Sequence, residues 1–120
     1  MQYINEKAIA LNEFGDSIKM NTEKKDNSTL VLKVKVIKDE GGDKFNWVKV
    51  KVLSILKNDT EQQIPESLSI ASYSWLSGLQ EGKKYIVYLV PFPLGSEKIT
   101  DINQWILLEG NASIGAEFVK

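Results

Sequence analysis

The clearest pattern along the chain is an alternation of aliphatic and polar residues in two neighbouring segments. The first is Leu30–Ile37, with an aliphatic residue at every even position, and the second is Trp47–Val52, with a valine at every even position. This period of two is typical of β-strands that bury one face. Because the Gly41-Gly42 pair between the segments favours a tight turn, they are predicted to form a β-hairpin.

The register of this hairpin can be predicted because directly opposed residues point to the same face of a sheet. On the buried face, valines are expected to oppose each other: Val34 with Val50 and Val36 with Val48. On the outer face, the same register opposes lysines: Lys35 with Lys49 and Lys33 with Lys51. It also places Ile37 beside Trp47. A slip by one residue would turn a whole apolar set toward solvent, so the pattern disfavours it.

The second strand continues beyond the hairpin to Leu56, whereas most strands have about five or six residues. A strand this long is expected to bend and to pair with different partners at its two ends, as small closed barrels require. Further strands are predicted at Glu66–Ala71 and Lys84–Val90, and a final hairpin at Gln104–Glu109 and Ser113–Val119. Because Lys84–Val90 is apolar on both faces, it should be the central strand.

The pattern of predicted strands indicates a single all-β domain that is preceded by a short N-terminal extension. Residues 30–120 should form an OB-like Greek-key barrel of five or six strands, with room for one short helix in the chain. Residues 1–29 precede the barrel as an N-terminal extension, which is either a short helix over 4–13 or a hairpin of Ile9–Phe14 and Ser17–Thr22, followed by a loop. The spacing of apolar residues fits both alternatives.

Composition narrows the chemistry that such a barrel could perform. The 120 residues include no Cys and no His, which excludes disulfides, thiolate nucleophiles, Ser-His-Asp catalysis and the usual zinc ligands. All 15 basic residues are Lys, so the bidentate clamps that Arg forms on phosphate and carboxylate are absent. Nothing in the spacing of the carboxylates indicates a metal, a cofactor or a catalytic pair. We therefore expect a non-enzymatic domain without cofactor or metal.

The net charge and the hydropathy of the chain limit which partners and which cellular locations are expected. A net charge of −1 and a pI near 5.5 argue against a dedicated nucleic-acid binder. The N-terminus lacks the basic start and apolar run of a signal peptide, and the apolar run Ile86–Val90 is too short to cross a bilayer. These features leave an intracellular protein or a mature secreted or envelope domain. The oligomeric state is not predicted.

Two longer stretches together resemble a known family. They are Val48–Lys57 with the alternation of Leu68 and Ile70 behind it, and Leu79–Leu89, where Gly, basic residues, Tyr and aliphatic residues follow one another. They resemble the netrin-like domains, which include the tissue inhibitors of metalloproteinases, and more closely their Cys-poor bacterial relatives. The resemblance covers about Leu30–Val119. It implies an OB-type barrel and protein–protein contact, and we expect this contact in a bacterial envelope or extracellular setting.

The same resemblance transfers no functional residue. The metalloproteinase inhibitors act through a disulfide-anchored N-terminal Cys, and this chain has no Cys. The expected function is therefore a binding or accessory role toward an unknown protein partner, in a mature secreted or envelope domain rather than a cytoplasmic one.

Two sets of side chains are candidate binding residues. The first is the lysine-lined outer face of the hairpin, which could bind an acidic polysaccharide or, less favourably, a nucleic acid: Lys33, Lys35, Lys49 and Lys51. The second comprises aromatic residues that could anchor a protein partner: Trp47, Trp75 and Phe92. A solvated sheet face and partly buried rings are the plainer interpretation. Protein binding is the favoured function, and anion binding is the alternative.

Overall fold

The structure is a computed structural model that describes residues 9–11, 17–19, 22–76, 78–93 and 101–119; for 9–11 and 17–19 it describes the backbone alone. Within these ranges the chain forms eight strands: β1 (Ile9–Leu11), β2 (Ser17–Lys19), β3 (Leu30–Gly41), β4 (Phe45–Asn58), β5 (Ser67–Tyr73), β6 (Lys84–Pro91), β7 (Gln104–Leu107) and β8 (Ala116–Val119). The helical segments there are short: α1 (Thr22–Asp26), a 3-10 turn (Leu108–Gly110) and α2 (Ala112–Gly115).

Five strands close into a barrel. They follow the order β3-β4-β5-β7-β6, and β6 returns to pair with β3. Neighbouring strands are antiparallel except β5 and β7, which are parallel. Counted in chain order, the barrel strands therefore form the circuit 1-2-3-5-4-1, a Greek-key barrel of the OB type. With β8 added to β6 as a sixth strand, the predicted all-β, OB-like fold is confirmed.

The barrel interior is filled by alternate residues of its strands. Its largest side chain is Trp105, which is fully buried and whose Nε1 donates a hydrogen bond to the carbonyl of Ile102 at 2.9 Å. A second, smaller cluster lies on the outside of the barrel, where β6 and the start of β3 meet: Val31, Ile86, Tyr88 and Val119. Because β6 is covered on both faces, it is the central strand that its apolar sequence predicts.

The long strand β4 pairs with β5 in its first half and with β3 as far as Asn58, as expected for a bent barrel strand. The predicted register of β3 against β4, however, is wrong by two residues. The observed valine pairs are Val34 with Val52 and Val36 with Val50. Because the difference is an even number of residues, the valines still point inward.

The turn explains the difference in register. It occupies residues 42–44, after β3 has continued to Gly41, and therefore lies later than the glycine pair suggests. Ile37 and Glu40 of β3 are bulge residues that have no partner on β4. These two bulges compensate only part of the register shift that the later turn causes. Ile37 consequently has no cross-strand partner on β4, and Trp47 opposes Gly41 rather than Ile37.

The predicted final hairpin is also wrong, because β7 and β8 do not pair with each other. Both pair with β6: β8 along Lys84–Val87 and β7 along Leu89–Pro91. Strand β6 has 8 residues, so β8 and β7 can pair with it one after the other along the same edge. The other edge of β7 pairs with β5. The 3-10 turn and α2, which lie between β7 and β8, change the direction of the chain. Asn111 caps α2, because its side chain accepts a hydrogen bond from the Ser113 N–H.

In the N-terminal segment, β1 and β2 pair antiparallel, which corresponds to the hairpin alternative and not to a helix over 4–13. The remaining residues of that prediction, 4–8, 12–16, 20 and 21, lie outside the described part of the chain. The loop predicted next contains the short helix α1. Across the described ranges, no helix has the length and apolar character needed to span a membrane.

Candidate functional site

Five aromatic side chains form a continuous group at one end of the barrel, here named the aromatic cluster: Phe45, Trp47, Tyr73, Trp75 and Phe92. The rings of Tyr73 and Trp75 are stacked with centroids 4.5 Å apart, and Phe45 stacks on Tyr73 at 5.4 Å. Phe92 meets Phe45 and Trp47 edge-on, at 5.2 and 4.8 Å. Each ring is therefore held by at least one other, in the geometries that aromatic pairs prefer.

Strand alternation and cross-strand pairing assemble this cluster. Since Val48 and Val50 of β4 point into the barrel, Phe45 and Trp47 point outward. Tyr73 of β5 directly opposes Phe45. Trp75 follows β5 and Phe92 follows β6, so the cluster combines side chains from two strands and the segments that follow two strands.

Exposure differs sharply within the aromatic cluster. Trp75 keeps 65% of its surface exposed, whereas the other four rings are half-buried. A large ring that is exposed yet held against a neighbour is typical of interfaces, because it offers area with little rotamer freedom to lose. Trp105, in contrast, lies wholly in the core and takes no part.

Two glycines allow the backbone to approach residues of the aromatic cluster closely. Gly110 has a φ of +63°, and a Cβ placed on it would lie 2.5 Å from Cδ2 of Tyr73. Gly42 has a φ of +147°, and a Cβ there would collide with the carbonyl oxygen of Phe45. Only glycine fits both requirements at these two positions.

Lysines occupy the outward positions of β3 and β4 next to the aromatic cluster. They form two opposed pairs, here named the lysine rows: Lys35 with Lys51, and Lys38 with Lys49. All four side chains are exposed. The predicted pairing of Lys35 with Lys49 is thus replaced, although the outward direction of both residues is as expected.

Lys33 does not belong to this face, which corrects its assignment to the binding residues. It is only 7% exposed and opposes Ser54 and Ile86 instead of Lys51. The outer cluster around Ile86 covers the sheet at this end of β3, and the lysine stem is buried with it. Lys38 takes the fourth place because the bulge at Ile37 returns it to the outward face, a feature that periodicity does not reveal.

No carboxylate opposes the lysine rows across the sheet. On β5, Lys51 faces Ser67 and Lys49 faces Ser69. An ion pair that the structure does show, between Lys57 and Asp59 at 3.3 Å, lies elsewhere. Directly opposed like charges destabilise a sheet by about a few tenths of a kcal/mol each.

The aromatic cluster and the lysine rows are continuous. Trp47, Lys49 and Lys51 are alternate residues of β4, so their side chains follow one another along a single face. Four of the predicted aromatic and lysine residues lie on this β4 stretch and its partner β3, and Trp75 and Phe92 complete its aromatic end. The combined surface is here named the aromatic–lysine face. Sequence reasoning missed Phe45 and Lys38 as members of it.

A polar cleft of about 630 Å³ lies beside the aromatic cluster, lined in part by Asp39, Asn46 and Glu81. Its carboxylates hold the loops together. Glu81 Oε2 accepts a hydrogen bond from the Asp39 N–H at 2.7 Å, and Asp39 Oδ1 accepts from Gly41 and Asn46. Among the residues described, no group of three or more potential ligands could hold a metal ion.

Comparisons with known proteins do not assign this chain to a family. No protein-family model matches it, and no curated protein matches it significantly in sequence. The netrin-like resemblance of the sequence therefore stays a prediction, and the interpretation of the site rests on its own residues.

Proposed function

We propose that the domain is a non-enzymatic protein-binding module whose partner docks on the aromatic cluster. The observation that carries this proposal is Trp75, 65% exposed while its ring is stacked on Tyr73 at 4.5 Å. Burial of the exposed part of such a ring contributes about 3 kcal/mol, which exceeds the roughly 2 kcal/mol that defines an interface hot spot.

Ring packing favours a protein over a single-stranded nucleic acid. Nucleic-acid platforms stack each base on a free aromatic face. Here Tyr73 is stacked by Phe45 and by Trp75, and Phe92 meets two rings edge-on. The cluster therefore presents one broad anchor at Trp75 and a rim of ring edges, a shape that suits apolar side chains of a partner protein.

Anion binding through the lysine rows is the alternative function, supported by four exposed lysines without an opposed carboxylate. It predicts that the ligand is a polyanion and that the aromatic cluster is dispensable. We expect either activity in a secreted or envelope setting, as the sequence predicts.

Site-specific photocrosslinking in the cells that naturally produce the protein tests this function. A benzophenone amino acid would replace Trp75 in one variant and Phe118 in a matched control. Phe118 is also an exposed aromatic residue, at 57%, but it packs at 5.9 Å against Tyr85 near the opposite end of β6. A discrete polypeptide adduct is expected at position 75 and not at 118.

Three results would contradict the proposal: no adduct at position 75, equal adducts at both positions, or an adduct that nuclease or polysaccharide lyase removes. The last would support the polyanion alternative.

A further inference from the structure

We propose that the partner docks through an extended acidic segment, whose apolar anchor contacts the aromatic cluster and whose carboxylates contact the lysine rows. This inference rests on the proposed function and specifies the chemistry of the partner. It depends on the continuity between Trp47 and the two lysine pairs along one face of the sheet.

Spacing along β4 gives the expected pattern of the ligand. Alternate residues of a strand are about 7 Å apart, so Trp47, Lys49 and Lys51 form three levels separated by that distance. An extended peptide has the same repeat. An apolar residue at the level of Trp47 therefore places the residues two and four positions away at the levels of the two lysine pairs.

Electrostatics select acidic residues at those two positions. Each level carries two opposed lysines, Lys38 with Lys49 and Lys35 with Lys51, and neither level has a carboxylate on β5. A carboxylate placed over a level would interact with two ammonium groups and would relieve their mutual repulsion. At the Trp47 level, the opposing residue on β3 is Gly41, whose Cβ position has no atom within 4 Å and so leaves room for an apolar side chain, whereas Ala71 on β5 is fully buried.

A polyanion without an apolar anchor would use only part of this surface. Phosphate recognition commonly relies on Arg, and the chain contains none. The half-buried rings beside the lysines would remain exposed to water in such a complex. The arrangement therefore favours an acidic protein segment, and a polyanion becomes an outcome of the test.

The probe is a fluorescein-labelled synthetic peptide, Ser-Glu-Ser-Glu-Ser-Trp-Ser-Glu-Ser-Glu-Ser, which presents Glu two and four positions from Trp in both chain directions. A second peptide replaces every Glu by Gln. Fluorescence anisotropy with the full chain would compare the two peptides at 50 mM and 500 mM salt. We expect the Glu peptide to bind about tenfold more tightly at low salt, with the preference lost at high salt.

Protein variants locate the effect. Lys49→Gln together with Lys51→Gln should abolish the preference for Glu, while the matched control Lys83→Gln, an exposed lysine near Phe118, should retain it. Trp75→Ala should weaken both peptides, because it removes the most exposed ring of the aromatic cluster that the peptide's Trp contacts, without changing the lysines.

Four outcomes would overturn the inference: no binding of either peptide, equal binding of both, a Glu preference that survives the double substitution, or heparin binding that requires the lysines but is unaffected by Trp75→Ala. If the peptides bind equally and the adduct at position 75 is still observed, the acidic chemistry fails while the protein-binding function stands. If that adduct is absent as well, both fail.

Discussion

The support of the aromatic cluster by Gly110 can be tested with one methyl group. Gly110 has a φ of +63°, and a Cβ there would lie 2.5 and 2.6 Å from two carbons of the Tyr73 ring. Gly82 provides a matched control, because it has a φ of +79° and no atom within 4 Å of its Cβ position. Both Ala variants carry the backbone penalty, and only Gly110→Ala carries the collision.

The expected losses follow from these two contributions. An L-residue in the left-handed region is destabilised by about 1–2 kcal/mol, which applies to both variants. Overpacking adds about 1–3 kcal/mol at Gly110, because the Tyr73 ring that the new Cβ would meet is already stacked against both Phe45 and Trp75. We expect Gly82→Ala to lower the free energy of unfolding by about 1–2 kcal/mol, and Gly110→Ala to lower it by about 2–5 kcal/mol.

Equilibrium urea denaturation would measure both losses, and near-ultraviolet circular dichroism would report the aromatic packing. The near-ultraviolet signal should change in Gly110→Ala and remain that of the wild type in Gly82→Ala. If the two variants lose the same free energy and both spectra are unchanged, Tyr73 does not pack on Gly110 and this account of the cluster is wrong.

Two further substitutions test the register and the outer cluster. Lys51→Glu should raise the free energy of unfolding by about 0.5 kcal/mol at low salt, because it converts the repulsion with Lys35 into attraction; thermal denaturation at low and high salt would check this, and an absent or salt-independent gain would contradict the register. Tyr88→Phe should lower the free energy of unfolding by about 1–2 kcal/mol, since the Tyr88 hydroxyl donates to Glu117 Oε1 at 2.9 Å. Urea denaturation of that variant and of Glu117→Gln would measure the loss, and unchanged stability in Tyr88→Phe would argue against the hydrogen bond.

Local sequence pattern determined the strands and the direction of their side chains. The alternation along β3 and β4 places the valines inside and the lysines outside, and the two-sided apolar sequence of β6 marks the central strand. These features depend on a period of two and on local burial, both of which are visible along the chain. The all-β class and the outward direction of Trp47, Lys49 and Lys51 were therefore predictable.

Tertiary structure decided how those strands meet. The register depends on the turn at 42–44 and on bulges such as the one at Ile37, which brings Lys38 to the exposed face. Lys33 is buried for a different reason, because the outer cluster around Ile86 covers it. The aromatic cluster exists because barrel closure brings the segments after β5 and β6 to the start of β4, from residues far apart in sequence. A bulge has no periodic signal, and the proximity of strand ends follows from long-range pairing, so neither could be predicted from neighbouring residues.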